Sequence, residues 1–347
     1  MAVPDVIVIG ASHGGIEALQ QLCQRLPPQV PAAIFVVVHT SPNSPGLLAE
    51  ILANAGPLPA SFGRHDKRFT GGHIYVAPPD HHMLIEAPDQ IRLSRGPKEN
   101  GFRPAIDTLF RSAALGFSPR VIGVILSGNL DDGTVGLAAI KRRGGIAMVQ
   151  NPSEARVPSM PLSALQHVNV DHCLDIAQMA PRMMNSLRAF NGSQPQPMEI
   201  HTMDDTLKYE VRMAALSPEA DPTEILKFGE ASLFTCPDCH GSLVELREQG
   251  PLRFRCHTGH AFTADSLVAS LSESTEEALW STFRALQEKI MLLRHMATHA
   301  RERNDEAEAK KLLRQAHRIQ TRGSLVRQAL LLDEATVSPD PAERSAG

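Results

Sequence analysis

The sequence is poor in aromatic residues and carries little net charge. Aromatic side chains make up 4% of the 347 residues, with one tryptophan and two tyrosines. The 34 basic and 38 acidic side chains leave a net charge of -4. Proteins that bind nucleic acids use strongly basic surfaces, and those that bind single strands add aromatic side chains on which bases stack. The composition therefore argues against a broad nucleic-acid interface.

Long apolar runs are also missing. No stretch approaches the roughly 18 apolar residues that a membrane-spanning helix needs. The first residues show no basic leader followed by an apolar run and a cleavage site, and they lead straight into an apolar run at residues 6–9. We expect a cytoplasmic protein that does not insert into a membrane.

Cysteine is scarce, but its placement is informative. Three of the five cysteines, Cys236, Cys239 and Cys256, lie within 21 residues of one another, and the other two are Cys23 and Cys173. In a chain expected to be cytoplasmic, such a local cluster indicates a metal site better than a disulfide framework.

Residues 1–190 alternate apolar runs with amphipathic segments. Runs that are apolar on both faces, separated by helices, predict an α/β fold with a doubly wound, mostly parallel sheet. The stretch 72–93 contains short runs between proline turns, and we interpret it as an antiparallel excursion. The apolar runs of the predicted sheet are 6–9, 33–38, 121–126 and 146–149.

The remaining residues divide by composition. A polar, proline-bearing stretch predicts a linker with a short helix over 191–229, followed by a zinc-binding unit over 230–268. Apolar residues at helical spacing then predict a helical hairpin over 269–335 and a disordered tail over 336–347. We favour two helices that pack on each other, and the alternative is that their apolar seam binds a partner protein.

Residues 10–14 fit the pattern G-x-S-x-G, with an apolar strand before it and a helix after it. That context is typical of a nucleophile elbow, where the helix N-terminus supplies N–H groups for a developing oxyanion. The alternative is a turn that binds a phosphate or a dinucleotide. Against it, Ser12 stands where a dinucleotide-binding turn has its middle glycine, and His39 ends the second strand where an acidic residue would stand.

Two further residues of hydrolase chemistry follow apolar strands. His39 comes directly after the run 33–38, and Asp131 and Asp132 lie shortly after the run 121–126. A serine hydroxyl needs an imidazole to accept its proton and a carboxylate to orient that imidazole. Because ligands bind beyond the carboxyl ends of parallel strands, this arrangement predicts a Ser-His-Asp hydrolase site.

Residues 3–190 resemble the catalytic domain of the CheB-type chemotaxis receptor protein-glutamate methylesterases. No single motif is specific, but their order and strand context agree along more than half of the chain. The matching stretches are 8–15 (VIGASHGG), 37–39 (VVH), 75–78 (YVAP), 103–114 (RPAIDTLFRSAA), 126–128 (LSG) and 132–133 (DG), then 144–145 (GG), Gln150 and Met160-Pro161.

The resemblance implies a protein-glutamate O-methylester hydrolase that acts on methylated chemoreceptor-like proteins, needs no cofactor for catalysis and, as in many members, also deamidates glutamines. Ser12 matches the nucleophile, His39 the base and Asp132 the orienting carboxylate. The oxyanion donors would be the backbone N–H groups of His13 and Asn129. The arginine of the Arg-Pro motif is a candidate for the substrate groove, and here it is Arg103.

Three features depart from the family pattern, and the altered loop at Asn129 and Leu130 favours an alternative, a non-catalytic adaptor in a chemosensory complex. The loop before the aspartate is usually Gly-Met-Gly-x-Asp-Gly, but here Leu130 takes the second glycine position and Asp131 precedes Asp132. His13 replaces the small residue that usually follows the nucleophile. The first strand starts at about residue 5, so we expect no receiver domain ahead of it.

The cysteine cluster predicts a structural zinc site. Cys236 and Cys239 form a C-x2-C pair, and Cys256 begins a second pair that His260 completes. His257 is the alternative fourth ligand, although adjacent ligands are stereochemically awkward; free thiols are the alternative to a metal. Four protein ligands leave no open position for catalysis. The pattern RCHxGHAF resembles a C-terminal extension of some receiver-less methylesterase relatives.

Overall fold

The computed structural model describes residues 5–192, 203–247 and 250–336. The chain forms two compact units, Met1–Leu267 and Val268–Gly347. Within the described residues, no helix is both long enough and apolar enough to cross a membrane.

A seven-stranded parallel sheet, called the main sheet below, forms the centre of the first unit. Its strand order is β10-β9-β8-β1-β2-β5-β3, and each neighbouring pair is parallel. The predicted doubly wound α/β fold is confirmed. The strands are β1 (Asp5–Ala11), β2 (Ala32–Val38), β3 (Ala60–Phe62), β4 (Lys67–Arg68), β5 (Ile74–Val76), β6 (His82–Glu86), β7 (Gln90–Ser94), β8 (Val121–Ile125), β9 (Ile146–Gln150) and β10 (His172–Leu174).

Helices cover both faces of the main sheet because successive strand residues point to opposite sides. On one face, Ile7 and Ile9 join a buried cluster with α1, α2 and α6, and on the other, Val6 and Val8 join a cluster with α3, α4 and α5. The helices are α1 (Gly15–Arg25), α2 (Leu48–Ala55), α3 (Ile106–Phe117), α4 (Thr134–Arg142), α5 (Ser159–His167) and α6 (Ile176–Gly192).

The prediction for residues 72–93 was partly wrong. Ile74–Val76 is not antiparallel; it pairs in parallel with β2 and β3 inside the main sheet. Only β4, β6 and β7 form the antiparallel excursion, a three-stranded sheet with the order β4-β7-β6. The prediction was wrong for Ile74–Val76 because a three-residue apolar run indicates a buried strand but does not indicate whether that strand runs parallel or antiparallel to its neighbours in the sheet.

The three clustered cysteines belong to a small antiparallel sheet of the first unit and to its turns: Cys256 ends a strand, and Cys236 and Cys239 lie in the turn between the first two strands. Its order is β11-β12-β13-β14, and we call it, with the first turn of the following helix, the cysteine module (residues 229–267). Its strands are β11 (Gly229–Thr235), β12 (Ser242–Leu246), β13 (Arg253–Cys256) and β14 (Ala261–Thr263). The elements that precede the module are α7 (Met203–Ala214), a 3-10 turn (Pro222–Glu224) and α8 (Ile225–Phe228).

Two long helices follow, as predicted. They are α9 (Ala264–Glu302) and α10 (Glu306–Thr336), and Asn304 between them has a positive φ of 60°. Helix α9 starts earlier than the predicted hairpin, inside the predicted zinc unit. Residues of the predicted seam are buried where the helices meet, among them Leu293, Ala297 and Leu312. The predicted tail from residue 337 onwards and residues 193–202 of the predicted linker lie outside the described residues.

Candidate active site and metal centre

Ser12 lies in the tight turn between β1 and α1, at the carboxyl edge of the main sheet. Gly14 adopts a left-handed φ of 74°, and a Cβ there would lie 2.7 Å from Cβ of Arg156 and 2.9 Å from Oγ of Ser127. The second glycine of G-x-S-x-G is therefore required by both backbone conformation and space. The turn leaves the Ser12 side chain half-buried rather than enclosed.

His39 follows β2, the neighbour of β1, and reaches back to the serine. Its Nδ1 lies 3.1 Å from Oγ of Ser12. Its Nε2 lies 2.7 Å from Oδ2 of Asp132, which is in the loop between β8 and α4. Because the carboxylate accepts the Nε2–H proton, the lone pair of Nδ1 faces the serine hydroxyl.

The Asp132 carboxylate is held at the N-terminus of α3. The backbone N–H groups of Ile106 and Asp107 donate to its two oxygens at 2.6 Å and 3.2 Å, and Nδ2 of Asn100 donates at 2.9 Å. Burial alone would raise the pKa of Asp132, but the hydrogen bonds from His39, Ile106 and Asn100 outweigh it and lower the pKa below its ordinary value. Asp132 is therefore ionised at neutral pH.

The family resemblance predicts Asp132 as the carboxylate that faces the histidine, although Asp131 stands directly beside it in the sequence. The structure places Asp132 there, whereas Asp131 accepts a hydrogen bond from Oγ1 of Thr263 at 2.8 Å. Burial raises the pKa of Asp131 to about 6. The two neighbouring carboxyl groups thus have pKa values shifted in opposite directions by their surroundings.

An aromatic ring covers the imidazole. The ring of Phe102 stacks on His39 with a centroid separation of 3.7 Å and an interplanar angle of 6°. The side chain of His39 is only 3% exposed. The imidazole is therefore fixed by its face as well as by its two nitrogens.

Leu130 preserves the backbone shape of the altered loop. It has a φ of 58°, in the left-handed region that glycine adopts freely and a leucine adopts at a cost of about 1–2 kcal/mol. The family's second glycine stands at this position, so the departure changes the side chain and keeps the turn. The backbone N–H groups of His13 and Asn129 have no acceptor within the part of the chain that the structure describes.

An open cleft of about 640 Å³ lies over Ser12 and His39. Arg103 lines it, as predicted for a groove residue, but its guanidinium donates to Oδ1 of Asp80 at 2.7 Å and 2.9 Å. Arg156 also lines the cleft and is 67% exposed, and its contact with Glu17 is long, at 3.4 Å. Arg156 is therefore the more available cation, and no motif in the sequence singled it out.

The four predicted metal ligands meet in the cysteine module. One ligand atom from each of Cys236, Cys239, Cys256 and His260 lies within 4.8 Å of all the others, whereas His257 is not part of this group. The Cys239–Cys256 sulfur separation is 3.6 Å, and Nδ1 of His260 lies 3.5 Å from Sγ of Cys256. A zinc tetrahedron with bonds of about 2.3 Å to sulfur has sulfur–sulfur edges of about 3.8 Å.

The chemistry of the donor set also fits a metal ion. The hydrogen bond from Cys236 lowers the pKa of the Cys256 thiol, and His260 acts in the same direction, while the same bond and burial raise the pKa of Cys236. A thiolate is the form that binds metals. Oγ1 of Thr258 lies 2.9 Å from Sγ of Cys256 and 3.1 Å from Sγ of Cys239, so it supports the sulfur atoms from beside the site.

Sequence reasoning missed several residues that support these two sites. Asn100 and Phe102 lie just before the Arg-Pro motif, and Thr258 lies within the pattern RCHxGHAF, but neither motif assigns these residues a role. Thr263 did carry a local signal, because a threonine just before an apolar helical pattern is a favoured residue at a helix N-cap.

Comparison with known proteins agrees with the site. The CheB methylesterase family model matches residues 7–183. A Leptospira interrogans protein, provisionally named a protein-glutamate methylesterase/protein-glutamine glutaminase, is 38% identical over 176 residues, which are 51% of this chain and 91% of that protein. A Methanosarcina mazei protein-glutamate methylesterase/protein-glutamine glutaminase is 33% identical over 194 residues, 54% of this chain and 53% of its own length. This chain thus spans about half of that relative.

A solved structure shows the same fold. The crystal structure of the Thermotoga maritima CheB methylesterase catalytic domain matches with a TM-score of 0.52 and 28% identity, and it covers 53% of this chain and all of that domain. The part matched by the family model, residues 7–183, contains the triad residues and ends before the cysteine module. The family model, the relatives and the fold agree, and the chain belongs to the CheB methylesterase family of hydrolases.

Proposed function

We propose that this protein hydrolyses glutamate methyl esters on a chemoreceptor-like protein through Ser12, His39 and Asp132. The observation that carries the proposal is the continuous hydrogen-bonded chain from Oγ of Ser12 through both ring nitrogens of His39 to the buried Asp132 carboxylate. Relatives named for this activity support the choice of substrate.

The reaction follows from the geometry. Oγ of Ser12 attacks the ester carbonyl carbon while Nδ1 of His39 accepts the hydroxyl proton, and Asp132 stabilises the imidazolium that forms. The backbone N–H groups of His13 and Asn129 stabilise the oxyanion. His39 returns the proton to the methoxide as methanol leaves. A water molecule then repeats the sequence on the acyl-enzyme and releases a glutamate carboxylate.

The shape of the cleft suits a side chain presented by another protein. It is open rather than enclosed, and charged side chains line its rim, among them Lys98, Arg103 and Arg156. A glutamine side chain presents the same acyl group with ammonia as the leaving group, so the same residues would support deamidation. No metal or organic cofactor enters either reaction as proposed.

We propose that the cysteine module binds one structural zinc ion through Cys236, Cys239, Cys256 and His260. Four protein ligands close a tetrahedral site, and the module buries too little apolar surface to fold on that basis alone. The reduced thiols that this site needs are consistent with the expectation of a cytoplasmic protein.

The second role that we propose for α9 and α10 is the binding of a partner protein. The apolar seam between the two helices is buried by their own packing, but other apolar side chains of these helices are exposed to solvent. Trp280, Met291 and Leu292 are each more than half exposed. The role of these exposed side chains stays a prediction.

Covalent labelling tests the nucleophile without any knowledge of the receptor. A fluorophosphonate that labels active-site serines should modify the full-length protein once, at Ser12, and Ser12→Ala should remain unlabelled. Ser127→Ala is the matched control, because Ser127 lies beside Ser12 but bonds to the backbone oxygens of His13 and Val157 instead of to a histidine side chain.

Each result of the labelling decides between two functions. Stoichiometric labelling that Ser12→Ala abolishes and Ser127→Ala keeps would exclude the adaptor alternative. A folded, zinc-loaded protein that takes up no label would contradict the esterase proposal and favour the adaptor.

A further inference from the structure

Asn100 connects the candidate active site to the cysteine module. On one side, its Nδ2 donates to Oδ1 of Asp132 at 2.9 Å and to Oδ2 of Asp107 at 3.2 Å. On the other side, its Oδ1 accepts from the backbone N–H of Thr263 at 3.0 Å and from Oγ of Ser266 at 3.1 Å. Its side chain is buried between the two.

The module determines which way the amide points. A backbone N–H can only donate, so the atom of Asn100 that faces Thr263 must be the oxygen. The NH2 group must then face Asp132, which, as an ionised carboxylate, can only accept. Without the Thr263 donor, the amide could turn and present its oxygen to the carboxylate, where the two would repel.

Thr263 and Ser266 are themselves held rigidly, as the capping box of α9. Ser266 N–H donates to Oγ1 of Thr263 at 3.2 Å, and Thr263 N–H donates to Oγ of Ser266 at 2.9 Å. This reciprocal pattern satisfies two N–H groups at a helix start. The same cap also bonds to Asp131 through Oγ1 of Thr263, so it touches both aspartates of the loop, one directly and one through Asn100.

The backbone around Asn100 also forms hydrogen bonds with the backbone of the cysteine module. Asn100 N–H donates to the carbonyl of Ala261 at 2.7 Å, and Ala261 N–H donates to the carbonyl of Lys98 at 3.3 Å. Beside these bonds, Arg255 of the module forms a fully buried ion pair with Glu99 at 2.9 Å. The module therefore holds Asn100 in three ways: through its backbone, through the ion pair of the preceding residue Glu99, and through its own side chain.

We propose that Asn100 is a positioning residue for Asp132, and that Thr263 and Ser266 of the cysteine module hold it in its active orientation. The module, which lies beyond the part matched by the CheB methylesterase family model, thereby completes the support of the triad. The inference rests on the proposed function, since it assumes that His39 and Asp132 activate Ser12.

The charges around Asp132 determine how removal of the Asn100 amide should change its pKa. The titratable groups that face Asp132 are His39, His82, Asp107 and Asp131. The amide dipole of Asn100 favours the ionised form of Asp132 and partly offsets its negative potential at His39. Removing the amide should therefore raise the pKa of Asp132, and the limb of activity that depends on this ionised carboxylate should move to higher pH.

The test uses two substitutions in the full-length, zinc-loaded protein. Asn100→Gly removes the amide and tolerates the positive φ of 52° at this position. Ser266→Ala removes one donor to Asn100 and leaves the Thr263 N–H in place. The readouts are the second-order rate of Ser12 phosphonylation between pH 5 and 9, and the kcat and KM of methanol release.

Asn100→Gly loses a hydrogen bond to the charged Asp132 carboxylate, so the rate of phosphonylation and the kcat of methanol release should each fall at least roughly tenfold. Ser266→Ala loses a hydrogen bond between neutral groups, so the same two rates should fall about two- to fivefold. KM should stay unchanged, and the acidic limb should move to higher pH in both variants. Ser272→Ala is the matched control, because Ser272 is exposed on α9 and bonds only to the carbonyl of Val268.

The outcomes separate this inference from the proposed function. If the wild type does not react, or if Ser12→Ala reacts equally well, the esterase proposal fails and the positioning role fails with it. If the reaction depends on Ser12 but the folded Asn100→Gly and Ser266→Ala variants keep the wild-type rate and pH profile, only the positioning role is overturned. A change in KM alone would also overturn it.

Discussion

The main sheet buries continuous sets of apolar side chains on both faces, whereas the cysteine module buries a small apolar cluster around Cys236 and Cys256 and shares a second small one with α7. Between the two lies a group of buried charges. Glu210 of α7 pairs with Arg253 and Arg255 of the module and with Arg111 of α3, while Glu99 pairs with Arg111 and Arg255.

This difference determines how substitutions should affect the stability of the main sheet and of the cysteine module. The sheet has the apolar area of an ordinary core and should tolerate conservative changes. The module depends on a few specific bonds, to a metal ion and between buried ions, and each of these is costly to break because it leaves a charge or a ligand without its partner. Four substitutions, from the largest expected effect to the smallest, test this contrast.

The largest effect should come from a metal ligand. Cys256→Ser should lose the zinc and unfold the module, because binding of a structural zinc ion contributes on the order of 10 kcal/mol. Metal analysis and thermal unfolding of the purified protein measure this, with near one zinc per chain expected for the wild type. Cys173→Ser, at an exposed cysteine outside the cluster, should keep both the zinc and the melting temperature. Zinc retained by Cys256→Ser would refute the ligand assignment.

The next effect should come from the buried charges. Glu210→Gln keeps the shape but leaves Arg253 and Arg255 short of a counter-charge, so the free energy of unfolding in urea should fall by about 3–5 kcal/mol. The control is Glu230→Gln, whose exposed pair with Arg247 should contribute at most about 1 kcal/mol. Equal losses in the two variants would show that burial does not set the strength of these pairs.

A smaller, pH-dependent effect is expected at Asp131. Burial raises its pKa to about 6, above the unfolded value near 3.9, so the folded protein takes up the proton first as the pH falls. This group therefore destabilises the fold above pH 6 and stops doing so towards pH 4. Asp131→Asn should be more stable than the wild type by about 1–3 kcal/mol at pH 7.5. Urea unfolding should show the difference vanish near pH 4, and a constant difference would contradict the assignment.

The smallest effect should come from Leu130. Glycine relieves the left-handed φ but loses side-chain burial and adds entropy to the unfolded chain, so Leu130→Gly should change stability by less than about 1 kcal/mol. Leu130→Val keeps an apolar side chain but strains a β-branched residue, so it should be the less stable of the two. Labelling at Ser12 should be unchanged in Leu130→Gly, and a large loss would show that the leucine side chain itself is needed.

The sequence predicted the main sheet well because its signals are local. Runs such as 33–38 and 121–126 are apolar on both faces, and glycine-rich turns follow or precede them. The predicted ligands Cys236 and His260 met for the same reason, since their spacing encodes two tight turns. The pairing direction of Ile74–Val76 was not predictable, because it depends on neighbours that are far away in the sequence.

The support of the candidate site was hidden for a related reason. Asn100 and Thr263 are 163 residues apart, and neither belongs to a motif that implies the other. Phe102 precedes the Arg-Pro motif, yet nothing local shows that its ring stacks on His39. Arg103 matched a family motif, but only the structure reveals that Asp80 already holds its guanidinium.

The central claim is that Ser12 performs ester hydrolysis at the edge of the main sheet. The most direct measurement is methanol release from methylated chemoreceptor cytoplasmic fragments by the wild type and by Ser12→Ala. We expect release by the wild type and none above background by the variant, with both proteins folded and carrying zinc. Absence of release by the wild type, or equal release by Ser12→Ala, would contradict it.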